Sequence, residues 1–193
     1  EQLRTDASIT LLVNNAGMGT YTPLLQSDVE QMTCMVELNV TAPMRLAYAA
    51  VPSFVARAKG AIINVASIVA IAPETLNGVY GGSKAFVLAF SQSLQKELVD
   101  TGVQVQVVLP GATATDFWAT GGLPVEHLDQ RIVMRAEDMV DAALARFGHI
   151  DILVNNAWGR RPASAPGFAR VETLSDLDSD WAWRIGAQSA LWA

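Results

Sequence analysis

Short apolar runs alternate with longer segments of helical spacing along this chain. Ile9 to Val13 (ITLLV) is continuously apolar and ends in Asn-Asn-Ala-Gly, the pattern of a buried parallel strand that runs into a loop. Ser27 and Glu30 form an S-x-x-E capping box and predict a helix from about Asp28 to Asn39. The helical pattern resumes past Pro43 and continues to about Arg57. Ala61 to Val65 (AIINV) repeats the strand signal, punctuated by Gly60. From Ser83 to Leu98 the spacing Phe86, Phe90, Leu94, Leu98 marks one apolar helix face. Val87 and Leu88 lie off that stripe, so the helix is expected to bury two sides. Val103 to Leu109 (VQVQVVL) is a third strand, closed by Pro110-Gly111. Alternating strands and helices predict an α/β fold, a parallel sheet with right-handed crossovers and helices on both faces.

Beyond Phe147 the chain changes character. Ile150 to Trp158 (IDILVNNAW) matches Ile9 to Gly17 (ITLLVNNAG) in six of nine positions at an offset of 141 residues. That offset is too long for a solenoid period, so the segment reads as the start of a second copy of the same unit. Trp158, Trp181, Trp183 and Trp192, four of the five tryptophans, lie in this stretch. We therefore expect residues 1–147 to form one domain and 148–193 a partial repeat packed on the same sheet. In that arrangement Ile150 to Val154, after a helical Ala136 to Arg146, would supply a last strand.

Composition narrows the function classes. The 193 residues are 51% hydrophobic and 17% charged, which supports a folded core. The longest uncharged apolar stretch, Gly60 to Pro73, is shorter than the roughly 18 residues of a membrane span. The sequence opens on EQLRTDASIT, without a basic region followed by an apolar one, and without an initiating Met; its true start is expected upstream. The single cysteine, Cys34, forms no internal disulfide, suits a reducing cytoplasmic compartment, and is expected as a small buried hydrophobe. A formal charge of -6 with scattered basic residues argues against a nucleic-acid partner.

Candidate chemistry centres on Tyr80 and Lys84, a Y-x-x-x-K pair four residues apart and so on one face of a helix. A phenol of ordinary pKa near 10 is a poor base at neutral pH, and an adjacent ammonium that stabilises phenolate brings it towards the working range. Ser67 precedes Tyr80 by thirteen residues at the end of a strand, where its hydroxyl can hold a reacting oxygen. Asn39 lies twenty-eight residues before Ser67. The Asn14-Asn15 pair is either a turn cap or part of a binding loop. His127 and His149 have no partners at metal-ligand spacing and are expected in exposed loops, and no metal site is predicted. The absence of a G-x-S-x-G elbow weakens a hydrolase reading.

In this order and spacing, LLVNNAG, LNVTAP, INVAS, YGGSK and LPGATAT resemble the short-chain dehydrogenase/reductase family, over residues 1 to about 145. The resemblance implies a Rossmann-type oxidoreductase that takes NAD or NADP and acts on a carbonyl or secondary alcohol. It implies Tyr80 as general acid/base, Lys84 as the residue that binds the nicotinamide ribose and lowers the Tyr80 pKa, and Ser67 as the group that orients the substrate oxygen. Asn39 would hold a relay water. Asn14, Ala16 and Gly17 would line the cofactor near its adenosine side, and Pro110, Gly111, Thr113 and Thr115 its nicotinamide end. A complete family member opens with a strand, a glycine-rich phosphate loop and two further strands, which are not found ahead of Ile9. The resemblance therefore leads us to expect the fold without its first three strands, weak nucleotide binding, an exposed edge at Ile9 to Val13, and a homo-oligomer. Two other readings are a catalytically impaired module that binds a partner, and a nicotinamide-free hydrolase or lyase that uses Ser67 with Tyr80. Substrate choice is assigned to the loops Met18 to Leu25 and Phe117 to Leu128.

Overall fold

The computed structural model describes residues 1–138 and 141. A short helix α1 (Gln2–Thr5) precedes strand β1 (Leu11–Asn14). Helix α2 (Val29–Val36), a π-helical turn over Glu37–Thr41 and helix α3 (Ala42–Ala56) follow without interruption. Strand β2 (Gly60–Val65), helix α4 (Gly78–Glu97) and strand β3 (Val103–Val108) complete the alternation. Then come β4 (Ala112–Thr113), α5 (Asp116–Thr120) and β5 (Val133–Met134). The described chain divides into two compact units. Residues 1–111 and 120–123 form the first, and residues 112–119 with those from 124 onward the second.

In the first unit the strands lie in the order β1-β2-β3, all parallel. The register sets Leu12 beside Ile62 and Val105, and Asn14 beside Asn64 and Val107, so these residues share one face of the sheet. On that face Leu12, Ile62 and Val103 pack with Ala47, Ala50 and Phe54 of α3, with Leu94 within α4 and with Leu98 just beyond it. Ile62, Ala50 and Phe54 are fully enclosed. The opposite face carries half-buried Leu11, Val13 and Ile63, while Gln104 and Gln106 are exposed. The alternation V-Q-V-Q-V thus records a strand with one apolar side. In the second unit β4 pairs in parallel with β5, a pairing the sequence pattern did not announce.

Four local expectations change. Ser27 does not cap α2: its hydroxyl donates to the carbonyls of Thr22 and Pro23, and Asp28 is the N-cap, accepting from the Glu30 N–H at 3.0 Å. Regular α2 ends at Val36, and Asn39 lies in the π turn rather than at the end of an α-helix. Cys34 is exposed, because the buried positions of α2 are taken by Met32 and Met35. The buried seam of α4 runs through Tyr80, Ser83, Lys84, Val87, Ser91 and Leu94. Phe86 and Phe90 instead stack on its flank, with ring centroids 5.8 Å apart and Phe86 exposed. Small residues let the helix approach the sheet, so they define its inner face and the large rings do not. His127 sits exposed on a single helical turn. The second NNA segment, His149, the boundary near Phe147 and the Ile150 to Val154 strand fall outside the described residues.

Candidate active site

The carboxyl ends of the three parallel strands bring the chemistry-bearing residues of the first unit together, as expected of an open α/β sheet. Ser67 follows β2 by two residues in extended conformation, and its Oγ accepts from the Val69 N–H at 3.4 Å and donates to the Pro110 carbonyl at 3.5 Å. The Ile68 N–H donates to the same carbonyl at 2.8 Å, so the loop after β3 is tied to the serine segment. Tyr80 lies in the first turn of α4, where Asn77 is the cap: Asn77 Oδ1 accepts from the Val79 and Tyr80 N–H groups at 2.9 and 3.3 Å. The same side chain donates to the Thr22 carbonyl at 2.6 Å, which anchors the loop after β1 to the start of the helix.

The Ser67 side chain lies where it acts on the Tyr80 hydroxyl and favours its ionised form. One turn along α4, the Lys84 ammonium lies 5.9 Å from the Tyr80 ring centroid and donates to the Val65 carbonyl at 3.0 Å. Tyr80, Lys84 and Asn39 are all buried. Burial pushes the Tyr80 hydroxyl above its usual value of 10. Desolvation lowers Lys84 from 10.5 to about 8. Desolvation thus drives both shifts, and at Tyr80 the Ser67 side chain works against it.

Asn39 is held from both ends. Its Oδ1 accepts from the Met18 N–H at 2.9 Å, and its Nδ2 donates to the Met18 carbonyl at 2.8 Å and to Ser83 Oγ at 3.0 Å. Its amide thus clamps the loop after β1 onto α4. The π turn that places it is a common device at functional sites. Gly17 closes the cluster: a Cβ there would lie 3.3 Å from Asn39 Oδ1 and 3.4 Å from Lys84 Nζ, so glycine keeps the ammonium reachable. Gly81, in the YGGSK motif, is required more strictly, since a Cβ would meet the Pro73 carbonyl oxygen at 2.3 Å. Asn14 sits at the end of β1, half-buried, and Ala16 is exposed. Pro110 and Gly111 belong to this unit as well, whereas Thr113, buried, and Thr115 belong to the second.

The chain matches the short chain dehydrogenase family (adh_short) over residues 3–122. It belongs to that family. A short-chain dehydrogenase from Sphingobium yanoikuyae in complex with NADPH is 45% identical, with a TM-score of 0.70 over 76% of this chain and 57% of that one. A bulky-bulky ketone specific alcohol dehydrogenase from Comamonas testosteroni is 42% identical, with a TM-score of 0.63 over 76% and 54%. An uncharacterized oxidoreductase of Staphylococcus epidermidis is 33% identical over 147 residues, 75% of this chain and 62% of that protein. A diacetyl reductase of the same species, (S)-acetoin forming, is 33% identical over 95% of this chain and 66% of its own length. This chain thus spans between about half and two thirds of the length of these relatives. The Rossmann-type parallel sheet and the family resemblance read from the five motifs are both borne out.

The residues present fit a nicotinamide dinucleotide. Among the described residues the Lys84 ammonium makes one hydrogen bond, leaving donors for ribose hydroxyls, and Gly17 keeps space beside it. Asn14 Oδ1 is a buried acceptor with no partner. Residues that pattern reading missed are Asn77, Asn64, Ser83 and Ser91. The signal for Asn77 was present as an Asn directly before a helix start; the other three are recognised only by their partners far along the chain.

Proposed function

We propose that this chain carries the catalytic end of an NAD(P)-dependent oxidoreductase that interconverts a carbonyl and a secondary alcohol, with Tyr80 as general acid/base. The observation that carries the reading is the meeting of buried Tyr80 with half-buried Ser67, which favours its ionised form, beside Lys84 at the strand ends. When bound, the nicotinamide supplies or accepts the hydride. A substrate carbonyl oxygen takes the place between the two hydroxyls, so that Ser67 positions it and Tyr80 gives it a proton as charge develops. The phenolate left on Tyr80 is stabilised by Ser67 and by the Lys84 ammonium, and oxidation of the alcohol runs through the same groups in reverse. Lys84 holds the ribose, while Asn14, Ala16 and Gly17 with Pro110 and Gly111 line the nucleotide. Thr113 and Thr115 are assigned to its nicotinamide end on the motif alone.

A hydrolase is not favoured: the partners of Ser67 among the described residues are Pro110 O, the Val69 N–H and Tyr80, with no histidine or carboxylate bonded to it. Ile68 and Ile71, exposed directly after Ser67, support a carbonyl flanked by apolar groups. This is in keeping with the similarity to a bulky-ketone dehydrogenase. Phe86 and Phe90 on the flank of α4 support association into an oligomer. A polypeptide of these 193 residues alone should hold the nucleotide weakly, since it presents the ribose and nicotinamide contacts without a glycine-rich phosphate loop. The test is oxidation of NADPH and of NADH with a panel of small and bulky ketones, alongside fluorescence titration of both nucleotides. Ketone-dependent oxidation of either supports the reading, and its absence with both, at nucleotide concentrations that saturate the titration, overturns it.

A further inference from the structure

Behind the catalytic cluster a chain of side-chain hydrogen bonds crosses the sheet and enters α4. Asn14 Nδ2 donates to Asn64 Oδ1 at 2.8 Å, Asn64 Nδ2 donates to Ser91 Oγ at 2.9 Å, and the Ser91 hydroxyl donates to the Val87 carbonyl at 2.7 Å. Asn64 and Ser91 are wholly buried. The parallel register sets Asn14 directly beside Asn64, so both amides lie on the face that α4 covers. The direction of the whole chain follows from its far end. A backbone carbonyl only accepts, so the Ser91 hydroxyl gives its proton to Val87 and its oxygen must accept from an amide nitrogen. That orients Asn64 with its oxygen towards β1, and Asn64 in turn orients Asn14 with its nitrogen inward. The atom left over is Asn14 Oδ1, which is buried and has no partner.

A buried polar chain of this kind is costly unless satisfied, and apolar residues would fill the same space, as Leu94 does one turn later on α4. A single orphan acceptor at the strand ends, where a dinucleotide lies in an open α/β sheet, is what such a chain delivers. We infer that Asn64 and Ser91 are positioning residues, which fix the Asn14 amide so that Oδ1 receives a hydrogen bond from a hydroxyl of the bound nucleotide. Neither residue touches the ligand. The inference rests on the reading of the protein as dinucleotide-dependent, and it adds that the orientation of a strand-end contact is set from inside the neighbouring helix.

The test combines affinity, turnover and nuclear magnetic resonance on the 193-residue chain. In Ser91→Ala the Asn64 amide loses its anchor, and the dissociation constant for NADPH should rise about fivefold to tenfold with turnover at saturation within twofold of the parent. Ser91→Thr, which keeps the hydroxyl, should restore affinity to within twofold. Because an unpaired Asn64 amide could unfold the chain, the double variant Asn64→Leu with Ser91→Ala removes both polar groups together. It should melt near the parent temperature and still bind weakly. Without nucleotide, the Asn14 side-chain amide resonances should move in Ser91→Ala and return in Ser91→Thr. Unchanged affinity in the alanine and double variants, or unmoved Asn14 resonances, would overturn the inference while leaving the functional reading intact. If the parent shows no saturable binding of either nucleotide, it is the functional reading that fails, and the resonance shifts alone then decide whether the relay orients Asn14.

Discussion

Along α4 the residues turned towards the sheet change from polar to apolar. Tyr80, Ser83, Lys84 and Ser91 are buried between its start and Ser91, beside Asn39 and Asn64, while Leu94 and then Leu98 close the far end against Phe54, Ile62 and Val103. Both ends are equally enclosed, but they are held in different ways. The apolar end gains from every methylene it hides, at about 25 cal/mol per Å². The polar end gains little beyond satisfying its own groups, and Lys84 is held there against its preference for water. The fall of its pKa from 10.5 to about 8 corresponds to a cost of about 3 kcal/mol. Stability is therefore concentrated where β2 and β3 begin, and chemistry where they end.

The contrast is broken most severely from the apolar side. Phe54 is fully buried, so Phe54→Ala should lower the unfolding free energy by about 3–5 kcal/mol in a denaturant titration, with turnover of the remaining folded protein unchanged. Lys84→Met should do the opposite, adding about 1–3 kcal/mol while abolishing activity, because it removes a desolvated charge and keeps the volume. The pH dependence sharpens this. Below pH 8 both folded and unfolded chains carry the Lys84 proton and the full cost is present. Between pH 8 and 10 the folded chain has released it and the unfolded chain has not, so stability of the parent should rise with pH. Above pH 10 Tyr80 reverses the trend, since its folded form keeps a proton that the unfolded chain gives up. Denaturation at pH 7, 8, 9 and 10 should show the rise in the parent and lose it in Lys84→Met. The smallest effect belongs to Gly81→Ala. Its new methyl must push the Pro73 backbone aside, which should cost about 1–3 kcal/mol and slow turnover by shifting the segment between Ser67 and Tyr80.

How much of this was legible in the sequence differs between the two ends in the same way. The strands were readable because ITLLV, AIINV and VQVQVV carry their burial pattern locally, and all three form within a residue or two of the expected bounds. Tyr80, Lys84 and Ser67 were readable because a helix turn and a strand end place them by short-range geometry. The clamp roles of Asn39 and Asn77 were not, since each joins residues 21 or 55 positions away. The Asn14–Asn64–Ser91 chain spans separations of 50 and 27. The face of α4 was misread for a related reason: aromatic size drew attention to Phe86 and Phe90, whereas Gly81, Ser83 and Ser91 allow the close approach that decides which face is inside. At α2 two capping residues stood side by side, and the carbonyls of Thr22 and Pro23 engaged Ser27 and left the cap to Asp28.

The central claim is that the polar end of α4 exists for proton transfer at Tyr80, and a single substitution addresses it. In Tyr80→Phe the ring still fills its site beside Lys84, and only the hydroxyl that meets Ser67 is lost. With NADPH and a ketone at saturation, the rate of reduction should fall by about 10²–10⁴-fold while the nucleotide dissociation constant, measured in the same samples, stays within about twofold of the parent. A variant that retains turnover within tenfold of the parent would contradict the account and assign the proton to another group.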